Sequence, residues 1–413
     1  MTVIDFDLSD RAFWALPHDQ RERAFRQLRA LDAPVFYEEP EVPFAPKGPG
    51  YYALVHHADV VAASRNPKVF ASGRGGAISV PDLPEDFAEY FGSMINMDDP
   101  RHARLRRIVN RAFTPATVAQ LTGNVRTVAE QITEELLAAG PGGDFVTTAA
   151  ARLPLKIICD LMGLPESEYG FVLEHSNTIL GGFDPEYGSA DLAETGMMLL
   201  NAGMQLQQLV QDIAVRRERA PTDDLTSALV HANVDGERLT LQELGSFFIL
   251  LLVAGNETTR HSITAGLRLL TVNPDQRALL TSDLDTLAPG AVEEIVRVTS
   301  PVIFMRRKLT QDHELNGQQY REGDKVVLFY NSANVDEAVF TDPYRFDITR
   351  SPNPHLGFGA AGPHFCLGAH LARLEITEML CVLLRRIPTI EGGEPVYLYS
   401  NFINGVKHMP YTF

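Results

Sequence analysis

Residues 355–373 read HLGFGAAGPHFCLGAHLAR, a glycine-rich loop that delivers one cysteine, Cys366, to the start of a helix. Free backbone N–H groups and the positive end of the helix dipole favour a thiolate there. Gly368 removes a side chain where a flat cofactor would approach the backbone. Three other readings compete. Gly357-Phe-Gly359-Ala-Ala-Gly362 spells the G-x-G-x-x-G of dinucleotide sites, but SPNPH precedes it instead of an apolar strand, and the about 50 residues after it cannot complete a βαβ unit. His355, His364, Cys366 and His370 could hold zinc, yet their spacing fits no familiar finger or catalytic set. A purely structural glycine loop is the third.

A second constellation is Ala254-Gly255-Asn256-Glu257-Thr258-Thr259, inside a long apolar helix. An acid beside an alcohol in such a helix can relay protons, and Gly255 permits local opening for a ligand or water, so Glu257 and Thr258 are the candidate relay. The bland alternative is Thr258 bonded back to its own helix and Glu257 in a salt bridge. On the helix face of Thr258, successive turns carry Gly255, Ala254, Leu251, Leu250 and Phe247, an apolar wall for a hydrophobic ligand.

Phe358, Gly359, Gly362, His364, Cys366 and Gly368 resemble the cysteine-ligand loop of the cytochromes P-450. The resemblance implies haem b with an axial thiolate from Cys366, which pushes electron density onto the iron and favours O–O cleavage. One departure is that Phe358 stands eight residues before the cysteine, where seven is usual; the extra residue falls in the Gly/Ala stretch. The AGNETT segment resembles the family's oxygen-activation motif, which puts Ala254 and Gly255 against the haem. His102 and Arg106, in a His-x-x-x-Arg, together with Arg307 and His364, match the family's propionate-binding positions. Val302, Phe304 and Phe402 are carried over as pocket residues. Glu294-x-x-Arg297 and Arg345, in Pro343-Tyr-Arg345-Phe346, imply a buried structural network behind the cysteine loop. Val335 stands where an arginine is usual.

The resemblance extends along essentially the whole chain. Segments such as AEYFGSMINMDDPRHARLRRIVNRAFTP and SFFILLLVAGNETTR are similar to actinobacterial, particularly mycobacterial, members that hydroxylate terminal methyl groups of methyl-branched lipids and sterol side chains. It implies a monooxygenase using O₂ and two electrons from a separate ferredoxin and ferredoxin reductase, since no flavin or nicotinamide module is visible. Arg104, Arg107, Arg111 and Arg373 are the expected docking cations. Competing functions are a haem-thiolate peroxygenase or isomerase that needs no redox partner, and a non-catalytic haem sensor or lipid carrier.

The elements that must position these residues are mostly helical, with three- and four-residue apolar spacing in 103–137, 192–217, 223–232, 275–299 and 366–387. Strands are expected at Gly50 to Val55 and Lys325 to Phe329, and a hairpin over 396–406. A capping box, Thr240 to Glu243, opens the longest helix and Asn273-Pro274 ends it, giving about 241–272. Its middle, FFILLLVAG, is apolar on every face, but Asn256-Glu257 cuts it well short of the ~20 residues a membrane span needs, which places it in a protein core. The expected fold is therefore mainly α with small β-sheets, a single domain over 1–413. A formal net charge of −17 argues against nucleic acid or an anionic membrane as the main partner. The N-terminal residues lack the basic and apolar regions of a signal peptide or membrane anchor, so a cytoplasmic location is expected. Cys159 and Cys381 lie in apolar helical contexts and are expected to be inert.

Overall fold

The computed structural model describes residues 6–42, 46–189, 191–233 and 236–413. The central helix runs Leu241–Val272 because both ends are set locally. The Glu243 N–H donates to the Thr240 hydroxyl, and the Thr240 N–H donates to the Glu243 carboxylate. At the other end Pro274 starts a new helix. The all-round apolar stretch demands cover, which comes from helices Arg152–Met162, Leu192–Arg219 and Ala369–Arg386.

Two long helical readings are interrupted. Within 103–137 the chain forms Arg101–Val109, Pro115–Gln120 and Thr122–Ala139, because Thr114 accepts from the Thr117 N–H beside a proline and so starts a fresh helix. Asp283, accepting from the Thr286 N–H, likewise separates Pro274–Ser282 from Leu284–Thr299. A five-stranded sheet orders Phe36–Tyr37, Tyr51–Leu54, Lys325–Phe329, Phe304–Leu309 and Phe70–Ala71. Tyr51–Leu54 runs parallel to Lys325–Phe329, and the other pairs are antiparallel. In the tail, Val396–Tyr397 pairs antiparallel with Val406–His408, the hairpin expected there.

The charged network behind the cysteine loop differs from expectation in one member. Glu294 and Arg297 are fully buried, and Arg297 donates from Nε and Nη2 to the two carboxylate oxygens at 2.8 and 2.7 Å. Its Nη1 donates to the carbonyls of Asn334 and Pro343. Arg345 is not the third partner: its side chain is exposed and only its carbonyl takes part, accepting from Arg297 and Arg350. Arg350 fills the place, with Nε 3.2 Å from both Glu294 oxygens. With the Asp347 N–H also donating to Glu294, at 3.0 Å, the carboxylate is satisfied by Arg297, Arg350 and the main chain, and the Arg345 side chain is left to solvent. The network ties Leu284–Thr299 to the segment leading into the cysteine loop. Val335 is buried, and nothing in the structure explains why it stands where an arginine is usual.

Cys159 and Cys381 are free and buried, and burial pushes their thiols up to about 12 and about 11, as inert core residues require.

Candidate active site

The cysteine loop is bridged on itself. The Cys366 N–H donates to the Phe358 carbonyl at 2.9 Å, and the Phe365 N–H to Gly362 at 3.1 Å. Gly359 sits at φ +82°, a conformation costly for any L side chain, and a Cβ on Gly362 would lie 2.5 Å from the Ser64 carbonyl. The stretch from Phe358 to Cys366, one residue longer than usual, is thus closed end to end by a hydrogen bond. From outside, Glu293 accepts from Arg373 Nε and Nη2 at 2.5 and 2.9 Å, and lies 2.9 Å from His355 Nε2. Because His355 Nδ1 accepts the Gly357 N–H, its Nε2 carries the proton toward Glu293. Arg373 also covers the Phe358 ring at 4.2 Å.

Cys366 opens onto a chamber of about 690 Å³. Burial pushes its thiol up, opposed by a hydrogen bond from the Gly368 N–H and by the charges of Arg106 and Arg373. Coordination to a metal reverses that balance, since a ligating thiol is deprotonated outright.

The chamber brings together residues far apart in sequence. Phe358, Gly368, Ala254, Gly255, Thr258, His102, Arg106, Arg307 and His364 line it near the cysteine loop, and Leu250, Leu251, Val302, Phe304 and Phe402 line it elsewhere. Phe247 does not: it is buried in the core against Phe248, with ring centroids 6.1 Å apart. It shares the helix face of Thr258, but at ~1.5 Å per residue it lies roughly 16 Å along the axis, beyond the end of the wall.

The residues beside Cys366 fit a haem. A Cβ added at Gly368 would meet nothing within 4 Å, so space is left at the backbone where a macrocycle would lie. His102 Nε2 is buried without a hydrogen-bond partner, and its ring lies 4.3 Å from that of His364. Burial, then Arg307, His102 and Arg106, hold the His364 imidazole down at about 2. Arg106 donates to the Phe365 carbonyl at 2.6 Å and Arg307 to the Arg306 carbonyl at 2.7 Å, and neither is paired with a carboxylate among the described residues. A buried cation, Arg307, and a half-buried one, Arg106, neither with a carboxylate partner, next to a buried imidazole nitrogen without a partner, match the two propionates of haem.

On the central helix the candidate relay is split. Thr258 faces the chamber and its hydroxyl donates back to the Ala254 carbonyl at 2.8 Å. Glu257 does not reach the chamber; its carboxylate accepts from Arg260 and from Asn256, with His261 Nε2 at 3.5 Å. Burial raises Glu257, but the charge of Arg260 and the hydrogen bond of His261 outweigh it and hold the carboxyl low. Arg260 also donates to Asn177 at 2.9 Å.

Sequence reasoning missed Glu375. It lies on Ala369–Arg386, lines the chamber, is buried, and has no cationic partner among the described residues. Burial pushes its carboxyl up to about 8 against the opposing hydrogen bond of Thr259. The available signal was an acid, Glu375, set among the apolar residues of the helix that follows Cys366.

The cytochrome P450 family model matches residues 194–389. Along its full length the chain is 48% identical to a methyl-branched lipid omega-hydroxylase of Mycobacterium tuberculosis, covering 95% of that protein. The chain belongs to the cytochrome P450 family. A steroid C26-monooxygenase of Mycolicibacterium smegmatis is 40% identical over 87% of this chain and 82% of its own length. Among solved structures, a Mycobacterium marinum cytochrome P450 in complex with pseudoionone superposes with a TM-score of 0.94 at 42% identity, covering 100% of both chains. This P450 is a haem-thiolate monooxygenase whose cofactor is haem b, and Cys366 is the residue that would hold it through its thiolate. When bound, that group supplies oxygen activation, which the thiolate promotes. No helix among the described residues is long and apolar enough to cross a membrane.

Proposed function

We propose that this P450 hydroxylates a terminal methyl group of a methyl-branched lipid. The observation that carries the reading is the wall of the chamber: Leu250, Leu251, Ala254, Val302, Phe304 and Phe402 offer shape and apolar surface and almost no polar recognition around the reacting end. Such a wall orients a hydrocarbon by fit alone. The methyl-branched lipid and steroid C26 hydroxylases among the relatives support the substrate class.

In this reading His102, Arg106, Arg307 and His364 hold the haem propionates, while Phe358, Ala254, Gly255 and Gly368 pack against the macrocycle. Thr258 passes protons into the chamber. Glu257 supplies it from behind once released from Arg260. Electrons come from a ferredoxin and its reductase, docked on the cysteine side. Of the four cations expected there, Arg104 is held by Glu243 and Glu237, and Arg373 by Glu293. Among the four, Arg111 is exposed and is the docking cation in this reading. Three free thiols suit a reducing cytoplasm, and the full-length likeness to a solved P450 supports one domain over 1–413.

Turnover of a methyl-branched fatty acid with ferredoxin, reductase and NAD(P)H, followed by mass spectrometry of the product, tests the reading. Oxygen on a terminal methyl is expected. In-chain oxidation, or turnover with peroxide alone, would contradict it.

A further inference from the structure

At the rim of the chamber, away from the cations grouped around the cysteine loop, stands one more arginine. Arg11 is exposed and lines the opening. Its guanidinium lies 5.4 Å from the ring centroid of Phe183 and 5.6 Å from that of Tyr399, and Nη2 donates to the Phe183 carbonyl at 3.3 Å. The Tyr399 hydroxyl donates to the Arg11 carbonyl at 2.7 Å, which fixes its backbone. Phe183 and Tyr399 line the chamber too, so the charge is held at its edge.

Arg11 forms no ion pair among the described residues, in a chain of net charge −17. The neighbouring acids are otherwise engaged: Asp10 caps the Ala12 N–H at 2.8 Å and Asp184 binds Lys407 at 2.9 Å. Glu41 lines the same rim and does not reach Arg11. Exposed apolar side chains line the chamber as well, Met197 at 64% and Phe183 at 37% exposure. A preorganised guanidinium with unused donors, above an apolar shaft, suits a carboxylate on a hydrocarbon tail.

We infer that Arg11 binds the carboxylate head of the lipid substrate. The inference rests on the reading above and narrows it to branched fatty acids, as against neutral sterols or ketones. With the head fixed at the rim, the chain runs down the apolar wall and presents its far end to the haem, so terminal oxidation follows from anchoring as well as shape.

The test is a spin-state titration of the holoenzyme with a methyl-branched fatty acid and with its methyl ester, in the wild type, Arg11→Gln and Arg11→Lys. The wild type should bind the acid about 10-fold more tightly than the ester, the scale of one charge-assisted contact. Arg11→Gln should bring that ratio close to one, and Arg11→Lys should keep part of it. The reduced carbonyl spectrum of each variant reports that the haem site is intact. Equal binding of acid and ester by the wild type, or an unaltered ratio in Arg11→Gln, would overturn the inference. If the ratio behaves as expected while wild-type products carry oxygen in the chain, Arg11 stands as the carboxylate site and the terminal-hydroxylation reading fails instead.

Discussion

Glu257 and Thr258 are adjacent on the central helix but face different surroundings: Thr258 lines the chamber, whereas the Glu257 carboxylate is buried against Arg260. One step along an α-helix turns a side chain by ~100°, which here carries the Glu257 carboxylate away from the chamber and into the core. Thr258→Ala should therefore divert electrons from product to hydrogen peroxide and lower hydroxylation on the order of 10²-fold, the usual weight of a positioned proton donor. Product and peroxide formed per NAD(P)H consumed are the readout; full coupling in Thr258→Ala would remove Thr258 from the relay.

The exchange of Arg345 for Arg350 in the Glu294 network separates two substitutions that sequence alone would rank the other way. Arg350→Met withdraws one partner from a buried carboxylate and should cost about 3 kcal/mol or more. Arg345→Met removes an exposed side chain and should change stability by less than about 0.5 kcal/mol. Urea midpoints of the two variants decide between them.

Phe247 belongs to the core and not to the wall, which changes what its loss should do. Phe247→Ala should destabilise by about 3–5 kcal/mol through the cavity it leaves, while the distribution of oxidation products stays that of the wild type. Leu250→Ala, on the wall, should instead alter substrate affinity or product pattern. A changed product pattern in Phe247→Ala with full stability would return it to the pocket.

Glu375 gives a dependence on pH. Its folded pKa of about 8 lies above the ordinary 4.5, so between those values the folded state holds a proton that the unfolded state has released. The stabilisation this confers is fully present below the ordinary value and is lost as pH rises through the raised one. Glu375→Gln should flatten that part of the pH–stability curve. Infrared difference spectra at neutral pH should show a protonated carboxyl band that this variant lacks; an ionised Glu375 at neutral pH would show no such band.

What could be read in the sequence was mostly local. The capping box of Thr240 and Glu243, the proline after Asn273 and the glycines around Cys366 act within a few residues, and the helix and loop formed where those signals placed them. The interruptions at Thr114 and Asp283 carry cap signals as well, but long apolar periodicity concealed them. The side chain that completes the Glu294 network depends on the path of an irregular segment, which no spacing rule encodes. Helical period put Phe247 on the right face but could not say where the chamber ends. Arg11 and Glu375 were hidden for a further reason: each gains its meaning from residues distant in the chain, Phe183 and Tyr399 for one, Thr259 and the chamber for the other.

The central claim is that Cys366 supplies the thiolate ligand of a haem at the base of an apolar lipid chamber. The reduced protein under carbon monoxide tests this most directly, followed by titration of the ferric form with a methyl-branched fatty acid. The account predicts a strongly red-shifted Soret band, lost in Cys366→Ala, and a spin-state change as the lipid binds. A carbonyl spectrum of the histidine-ligated kind, or one that Cys366→Ala leaves as it was, would contradict it.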